Sequence, residues 1–204
     1  MKIICIGRNY AKHAEELNNP IPEEPVVFLK PDTAILLKKH PFFIPEHSND
    51  VHHEIEVVVK INRLGKYIEP RFAHKYYDEI ALGIDFTARD VQARCKEKGL
   101  PWEKAKAFDG SAAVSRFFAL DKVDKPIQDL HFHLDINGKT VQAGHTKNML
   151  FSVDEIISHV SKYFTLKTGD LIFTGTPAGV GRVEREDLLE LFLENERVFY
   201  FNVK

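Results

Sequence analysis

The stretch Val51-His52-His53-Glu54-Ile55-Glu56-Val57-Val58-Val59-Lys60 decides how the chain folds around it. Its β-branched run, Ile55 to Val59, predicts a strand, and a strand puts residues i and i+2 on one face, so Glu54 and Glu56 point the same way. Two carboxylates turned into a structure repel each other and lose hydration unless a cation holds them. His52 falls on the same predicted face, where it can serve as a fourth ligand or hydrogen-bond to a ligating carboxylate.

A third acid follows downstream. Ile80 to Phe86 reads as a mostly apolar strand interrupted by Asp85, which marks either a strand end meeting solvent or a ligand pointed into a site. Upstream, Lys2 to Ile6 predicts a short strand ending at Gly7, and Ala11 to Leu17 a short helix entered from Asn9. On that helix His13 and Glu16 stand three apart and share a face, a spacing at which a carboxylate can orient an imidazole for general-base work.

Composition limits the partners. The 204 residues fit one domain, 1–204, with room for an adequate core, and 44% hydrophobic and 28% charged residues at a net charge of −2 describe an ordinary soluble protein. The absence of a basic excess argues against nucleic acid and anionic membranes and points to a small molecule. Cys5 and Cys95 are too few for a disulfide framework or a cysteine-based zinc site, and the apolar start at Met1 to Ile6 is too short for a signal peptide, so a cytoplasmic location is expected.

The remaining punctuation is regular. Pro20, Pro22 and Pro25 make an extended loop before the strand-like Val26 to Leu29, and residues 38–50 form a second loop that leads into the glutamate strand. Arg71 to Tyr77 predicts a short helix, and Thr87 is placed to cap a helix over Ala88 to Lys98, in which Arg89 beside Asp90 reads as a structural ion pair. Trp102 to Ser111 reads as an irregular surface loop. Leu130 to Ile136 alternates, and Asn137-Gly138 predicts a type I′ hairpin into Lys139 to Ala143, with His131 and His133 on the polar face. Ser152 and Glu155 form a capping box for an amphipathic helix through Phe164. Leu171 to Phe173 predicts a strand leading to the glycine-rich loop Thr174-Gly175-Thr176-Pro177-Ala178-Gly179-Val180-Gly181, whose backbone N–H groups could receive an anion. That loop lacks the lysine and following helix of a P-loop. Glu190 to Leu193 and Val198 to Val203 close the chain as strands about a turn at Asn195. Strands outnumber helices without regular alternation, so the class is α+β, mainly β, with antiparallel or mixed sheet.

Together these stretches resemble the fumarylacetoacetate hydrolase family, most closely its short acylpyruvate hydrolase and oxaloacetate decarboxylase branch. The resemblance is carried, in family order, by Gly7-Arg8-Asn9-Tyr10 with His13 and Glu16, Phe28-Leu29-Lys30-Pro31, His53-Glu54-Ile55-Glu56, Asp85 with Thr87-Ala88-Arg89-Asp90, Lys106 to Asp109, and Thr174-Gly175-Thr176-Pro177 with Gly179-Val180-Gly181. It implies a mixed β-roll, a homodimer, and a divalent metal held by Glu54, Glu56 and Asp85. Three carboxylates without cysteine suit a hard cation, Mg²⁺ or Mn²⁺ rather than zinc. The implied substrate is a small 2-oxo acid with a second carbonyl. His13 and Glu16 would provide the general base, Lys106 would offset developing negative charge, and Arg8, Gln92 and the backbone of Thr176 would bind the substrate. The implied reaction is carbon–carbon cleavage of an acylpyruvate to pyruvate and a carboxylic acid, with oxaloacetate decarboxylation through the same enolate. Two alternatives are an isomerase or decarboxylase of 2-hydroxy-dienedioates on the same scaffold, and a cupin-like protein using His131 and His133 as metal ligands. One departure from the family is that Arg185 to Leu193 contains no glycine where the family returns through a Gly-rich segment.

Overall fold

The computed structural model describes residues 1–37 and 39–204. In chain order its strands are β1 (Ile3–Gly7), β2 (Val26–Lys30), β3 (Val51–His53), β4 (Ile55–Ile61), β5 (Tyr77–Asp85), β6 (Thr87–Ala88) and β7 (Ala112–Val114), then β8 (Phe118–Ala119), β9 (His131–Ile136), β10 (Lys139–His145), β11 (Leu171–Phe173), β12 (Gly181–Arg182), β13 (Leu188–Leu193) and β14 (Glu196–Asn202). The α-helices are α1 (Ala11–Glu16), α2 (Pro70–Ala73), α3 (Arg89–Glu97), α4 (Glu103–Lys106) and α5 (Val153–Tyr163). Strand exceeds helix, 36% against 24%, which is the α+β, mainly β class expected.

The glutamate strand lies inside the largest sheet, ordered β2-β1-β11-β4-β5-β7 with β8 also paired to β5. The sheet is mixed, since β1 runs parallel to β11 while the other pairings are antiparallel. Along β4, Ile55, Val57, Val59 and Ile61 enter the main core, and Val58 on the opposite face packs with Ile3, Cys5 and Phe173. Apolar packing on both faces explains why the segment is a β-branched run rather than an alternation. Glu56 shares the face of Val58, so a buried carboxylate stands at the end of the smaller cluster.

The second sheet, β10-β9-β13-β14, is antiparallel throughout. Its hairpin turns at Asn137 and Gly138 with φ of 52° and 76°, as a type I′ turn requires. Phe132 and Leu134 are buried; His131 is exposed and stacks on His145, and His133 lies against Phe192. The glycine-free segment continues as β13 because Leu189, Leu191 and Leu193 alternate into the core. Ser152 Oγ accepts the Glu155 N–H and Glu155 Oε2 accepts the Ser152 N–H, so the capping box forms, and Ile156, Ile157 and Val160 of α5 are buried.

Several local expectations are corrected. Asn9 does not cap α1, whose N-cap is Tyr10. Its amide instead donates to the Phe151 and Thr174 carbonyls and accepts the Phe151 N–H, which ties the start of α1 to the glycine-rich loop. Thr87 is drawn into β6 opposite His52 and leaves α3 without a side-chain cap. The helix expected over Arg71 to Tyr77 is α2 followed by a 3₁₀ turn, His74–Tyr76, and the start of β5. Of the loop over 38–50, Lys38 lies outside the described residues; the rest is fastened where Phe42 bridges to Val203 and stacks on Phe86. Among the described residues no helix is long and apolar enough to cross a membrane.

Candidate active site

The chain changes sheets at Glu54. Strand β3 pairs with β12 and β6, β4 pairs with β11 and β5, and Glu54 is the break between them. The two-residue period therefore does not carry back to His52, whose Nε2 lies 3.0 Å from Asp50 Oδ1 rather than with the acids, which corrects both roles expected of it, hydrogen bonding to a ligating carboxylate and serving as a fourth ligand. The β4–β5 register, Ile55 opposite Ile84 and Glu56 opposite Gly83, brings the third acid in, and the Asp85 N–H donates to the Glu54 carbonyl at 2.8 Å. Glu54, Glu56 and Asp85 are all buried, and each offers an oxygen within 4.8 Å of the others.

Three cations surround this cluster. Lys106 Nζ donates to Glu54 Oε2 at 2.8 Å and to Asp85 Oδ2 at 2.7 Å, and Arg89 donates to Glu54 Oε1. Lys30, completely buried, donates to the Lys106 carbonyl and to the carbonyl and hydroxyl of Ser111. Its Nζ also stands 2.8 Å from Asp85 Oδ1, so each oxygen of Asp85 faces an ammonium, Oδ1 that of Lys30 and Oδ2 that of Lys106. Among the described residues Glu56 makes no ion pair; its Oε2 accepts the Gly175 N–H at 2.7 Å.

The general-base pair faces the same cleft. His13 Nδ1 lies 3.2 Å from Glu16 Oε2, and Glu16 Oε1 accepts the Gly179 N–H at 3.0 Å. The glycine-rich loop thus spends two of its N–H groups on the protein's own carboxylates, one at the acid cluster and one behind the histidine. Gly175, at φ 103°, is required there, because a Cβ would meet Asn9 Cβ at 2.6 Å. Gln142 pins the loop from β10: its Nε2 donates to Thr176 Oγ1 and the Pro177 carbonyl, and its Oε1 accepts the Ile55 N–H at 3.1 Å and lies 2.8 Å from His53 Nδ1. Replacing Gln142 by leucine strands these buried groups together, and the expected loss of stability is about 3 kcal/mol or more, read from denaturant unfolding.

Arg8, His13, Glu54, Glu56, Asp85, Gln92, Lys106 and Thr176 all line one cleft, and Glu16 stands behind His13. The segment expected to be a surface loop, Trp102 to Ser111, instead carries α4, with Ala105 and Lys106 buried and Trp102 edge-on to Phe28. Arg89 does not pair with Asp90, which bonds Ser48 and approaches Arg94; Arg89 reaches Glu54 and the Gln92 side-chain oxygen instead. Gln142, Lys30 and Arg89 are site residues to which the sequence assigns no role in the site. Lys30 sits in the quoted Phe28-Leu29-Lys30-Pro31, but Gln142 is turned inward by a bulge at Val141 that breaks the β10 alternation.

The charges set the protonation states. Burial would raise the Glu54 pKa, but Lys106, Arg89 and His13 hold it far below the usual carboxylate range. For Glu56, burial and then Asp85 and Glu54 act together and push it well above that range. Burial would lower Lys106, and the charges of Asp85 and Glu54 overcome it and raise its pKa. Burial lowers His13, which therefore stands neutral at physiological pH, ready to accept a proton. A hard divalent cation fits this donor set: the ligands are all oxygen, all three acids are buried, and the Lys106 ammonium already bridges two of them as a cation does. Because folding raises the Glu56 pKa, its contribution to stability without metal is fully present below the unfolded carboxylate pKa and is lost as pH rises through the folded value. Glu56→Gln removes that dependence, so in chelator its melting temperature relative to wild type is expected to climb between pH 5 and pH 8.

The chain is similar to several known proteins. The sequence model described as Fumarylacetoacetate (FAA) hydrolase C-terminal matches residues 2–199. The mitochondrial oxaloacetate tautomerase FAHD1 of Mus musculus is 44% identical over 99% of this chain and 91% of its own length. The mitochondrial oxaloacetate decarboxylase of Dictyostelium discoideum is 42% identical over 90% of this chain and 84% of its own. Among solved structures, fumarylpyruvate hydrolase from Pseudomonas aeruginosa in complex with Mn²⁺ and pyruvate superposes with a TM-score of 0.92 at 34% identity, covering 100% of this chain and 89% of that one. With the acid cluster, the histidine pair and the mixed sheet on one framework, the chain belongs to the fumarylacetoacetate hydrolase family of enzymes.

Proposed function

We propose that the protein is a Mg²⁺- or Mn²⁺-dependent enzyme that interconverts the keto and enol forms of oxaloacetate. The observation that carries this reading is the placement of the neutral His13, backed by Glu16, in the same cleft as the three buried carboxylates. A divalent cation held by Glu54, Glu56 and Asp85 would polarise the 2-oxo group and favour the enolate.

The chain's own groups move the proton. Glu16, fixed by the Gly179 N–H, accepts from His13 Nδ1 and leaves Nε2 as the basic nitrogen. His13 then takes a proton from the carbon beside the 2-oxo group and delivers it to the 2-oxo oxygen to give the enol, the reverse transfer regenerating the keto form, and Glu16 eases both by stabilising the imidazolium. Lys106 and Arg89, donors in the same cleft, offset the negative charge that develops on the substrate oxygens. Gln92 is held by Arg89 at 2.8 Å, and Thr176 is held by Gln142, so both wall groups are fixed before substrate arrives.

Hydrolysis of an acylpyruvate is the second reading, and the likeness to the fumarylpyruvate hydrolase holding Mn²⁺ and pyruvate favours it. It uses the same enolate, with His13 activating a water against the distal carbonyl. Ultraviolet absorbance of the enol separates the two when pyruvate is assayed in parallel. The expected result is metal-dependent loss of enol-oxaloacetate that outpaces pyruvate release and stops with chelator. Turnover of acylpyruvates with no acceleration of the tautomerisation would replace the first reading by the second.

A further inference from the structure

Two cations of the cleft have no ion-pair partner among the described residues. Arg8 and Lys96 both line it, and among the described residues neither makes an ion pair, whereas Arg89 and Lys106 are engaged with Glu54 and Asp85. Lys96 stands on α3 in register with Arg89 and Gln92, seven residues after the first and four after the second, so one stripe of the helix faces the cleft. Its ammonium lies 5.6 Å from the centroid of the Trp102 ring, another wall residue. Arg8 follows Gly7 with φ 59°, a left-handed conformation at the turn from β1 toward α1.

These charges crowd one another. Partial burial lowers the Lys96 pKa, and the like charges of Arg8, Arg89 and Lys106 lower it further. Cations gathered at a cleft without an acid to neutralise them attract a negative group that a ligand brings. The acid cluster and His13 are committed to the 2-oxo acid end in the reading above, so that group lies at the other end of the substrate. We infer that Lys96, with Arg8, binds the distal carboxylate of the substrate and restricts the enzyme to dicarboxylic 2-oxo acids. This assignment rests on the proposed enolate chemistry for the inner end of the cleft.

The test compares oxaloacetate, a dianion, with acetylpyruvate, a monoanion, in wild type, Lys96→Met and Lys96→Arg. Methionine keeps an aliphatic stem beside Trp102 and removes only the charge. The ratio of kcat/KM for oxaloacetate over acetylpyruvate is expected to fall about 10- to 100-fold in Lys96→Met, through KM, and to be largely restored in Lys96→Arg. An unaltered ratio, or equal losses on both substrates, would overturn the assignment. If wild type turns over neither compound, the enolate reading fails, and calorimetric binding of oxaloacetate and pyruvate with Mg²⁺ decides separately. A wild-type preference for the dianion that Lys96→Met erases upholds the role of Lys96, and the absence of a preference overturns it.

Discussion

Glu56→Gln is expected to lower kcat/KM by about 10³-fold or more, the scale of several kcal/mol of transition-state stabilisation that a Lewis-acid site contributes. The substitution is nearly isosteric, and the Gly175 N–H can still donate to the amide oxygen that takes the place of Oε2. The fold should therefore persist, and the loss reports on charge. Glu56 is the most informative of the three acids because, among the described residues, it makes no ion pair, whereas Glu54 and Asp85 contact Lys106, Arg89 and Lys30. Differential calorimetry provides the accompanying signature. At a metal concentration about 100 times its dissociation constant, wild type should gain about 2.7 kcal/mol, or roughly 5–10 °C in melting temperature. Glu56→Gln should gain little, and without metal it should melt above wild type at pH 8, since a buried carboxylate pressed by Asp85 and Glu54 has been removed. Full activity with undiminished metal stabilisation in the variant would remove the carboxylate site from the account.

His13→Asn has the second largest effect, about 10²- to 10⁴-fold in kcat, the range for loss of a positioned general base. Metal binding should survive, because His13 is outside the acid cluster and touches Glu16. Rates in wild type should fall in acid as the imidazole protonates. Burial lowers the folded pKa below the ordinary histidine value, so that fall comes at a lower pH than for an exposed histidine. The variant should lack this limb of the pH–rate profile. An unchanged profile together with a merely lower rate would make His13 structural. The comparison separates proton transfer from metal binding, which Glu56→Gln cannot do.

The sequence made some parts of this site visible because they break local rules. Glu54 and Glu56 stand in a β-branched strand and Asp85 interrupts an apolar one, polar groups where burial penalises them, while His13 and Glu16 show by their spacing on one helical face. The hairpin at Asn137-Gly138 and the capping box at Ser152 are equally local, and both form as expected. What is not visible depends on partners far along the chain. Lys106 lies in a stretch whose composition reads as exposed loop, and it is buried because α4 packs against the acids. Arg89 has an acidic neighbour in sequence and turns to one 35 positions away. The bulge at Val141 sends Gln142 inward, and the break at Glu54 sends His52 elsewhere; both defeat a two-residue period.

Tautomerisation, decarboxylation and hydrolysis share an enolate that a carboxylate-held cation would stabilise, and formation of that enolate by proton transfer to His13 is the step that tautomerisation adds. Exchange of the pyruvate methyl protons into deuterium oxide, followed by NMR, measures it without requiring any of those reactions to finish. With Mg²⁺ or Mn²⁺, wild type is predicted to incorporate deuterium into pyruvate, and incorporation should disappear with chelator, in Glu56→Gln and in His13→Asn. Binding of metal and pyruvate by wild type with no deuterium entering the methyl group would contradict it.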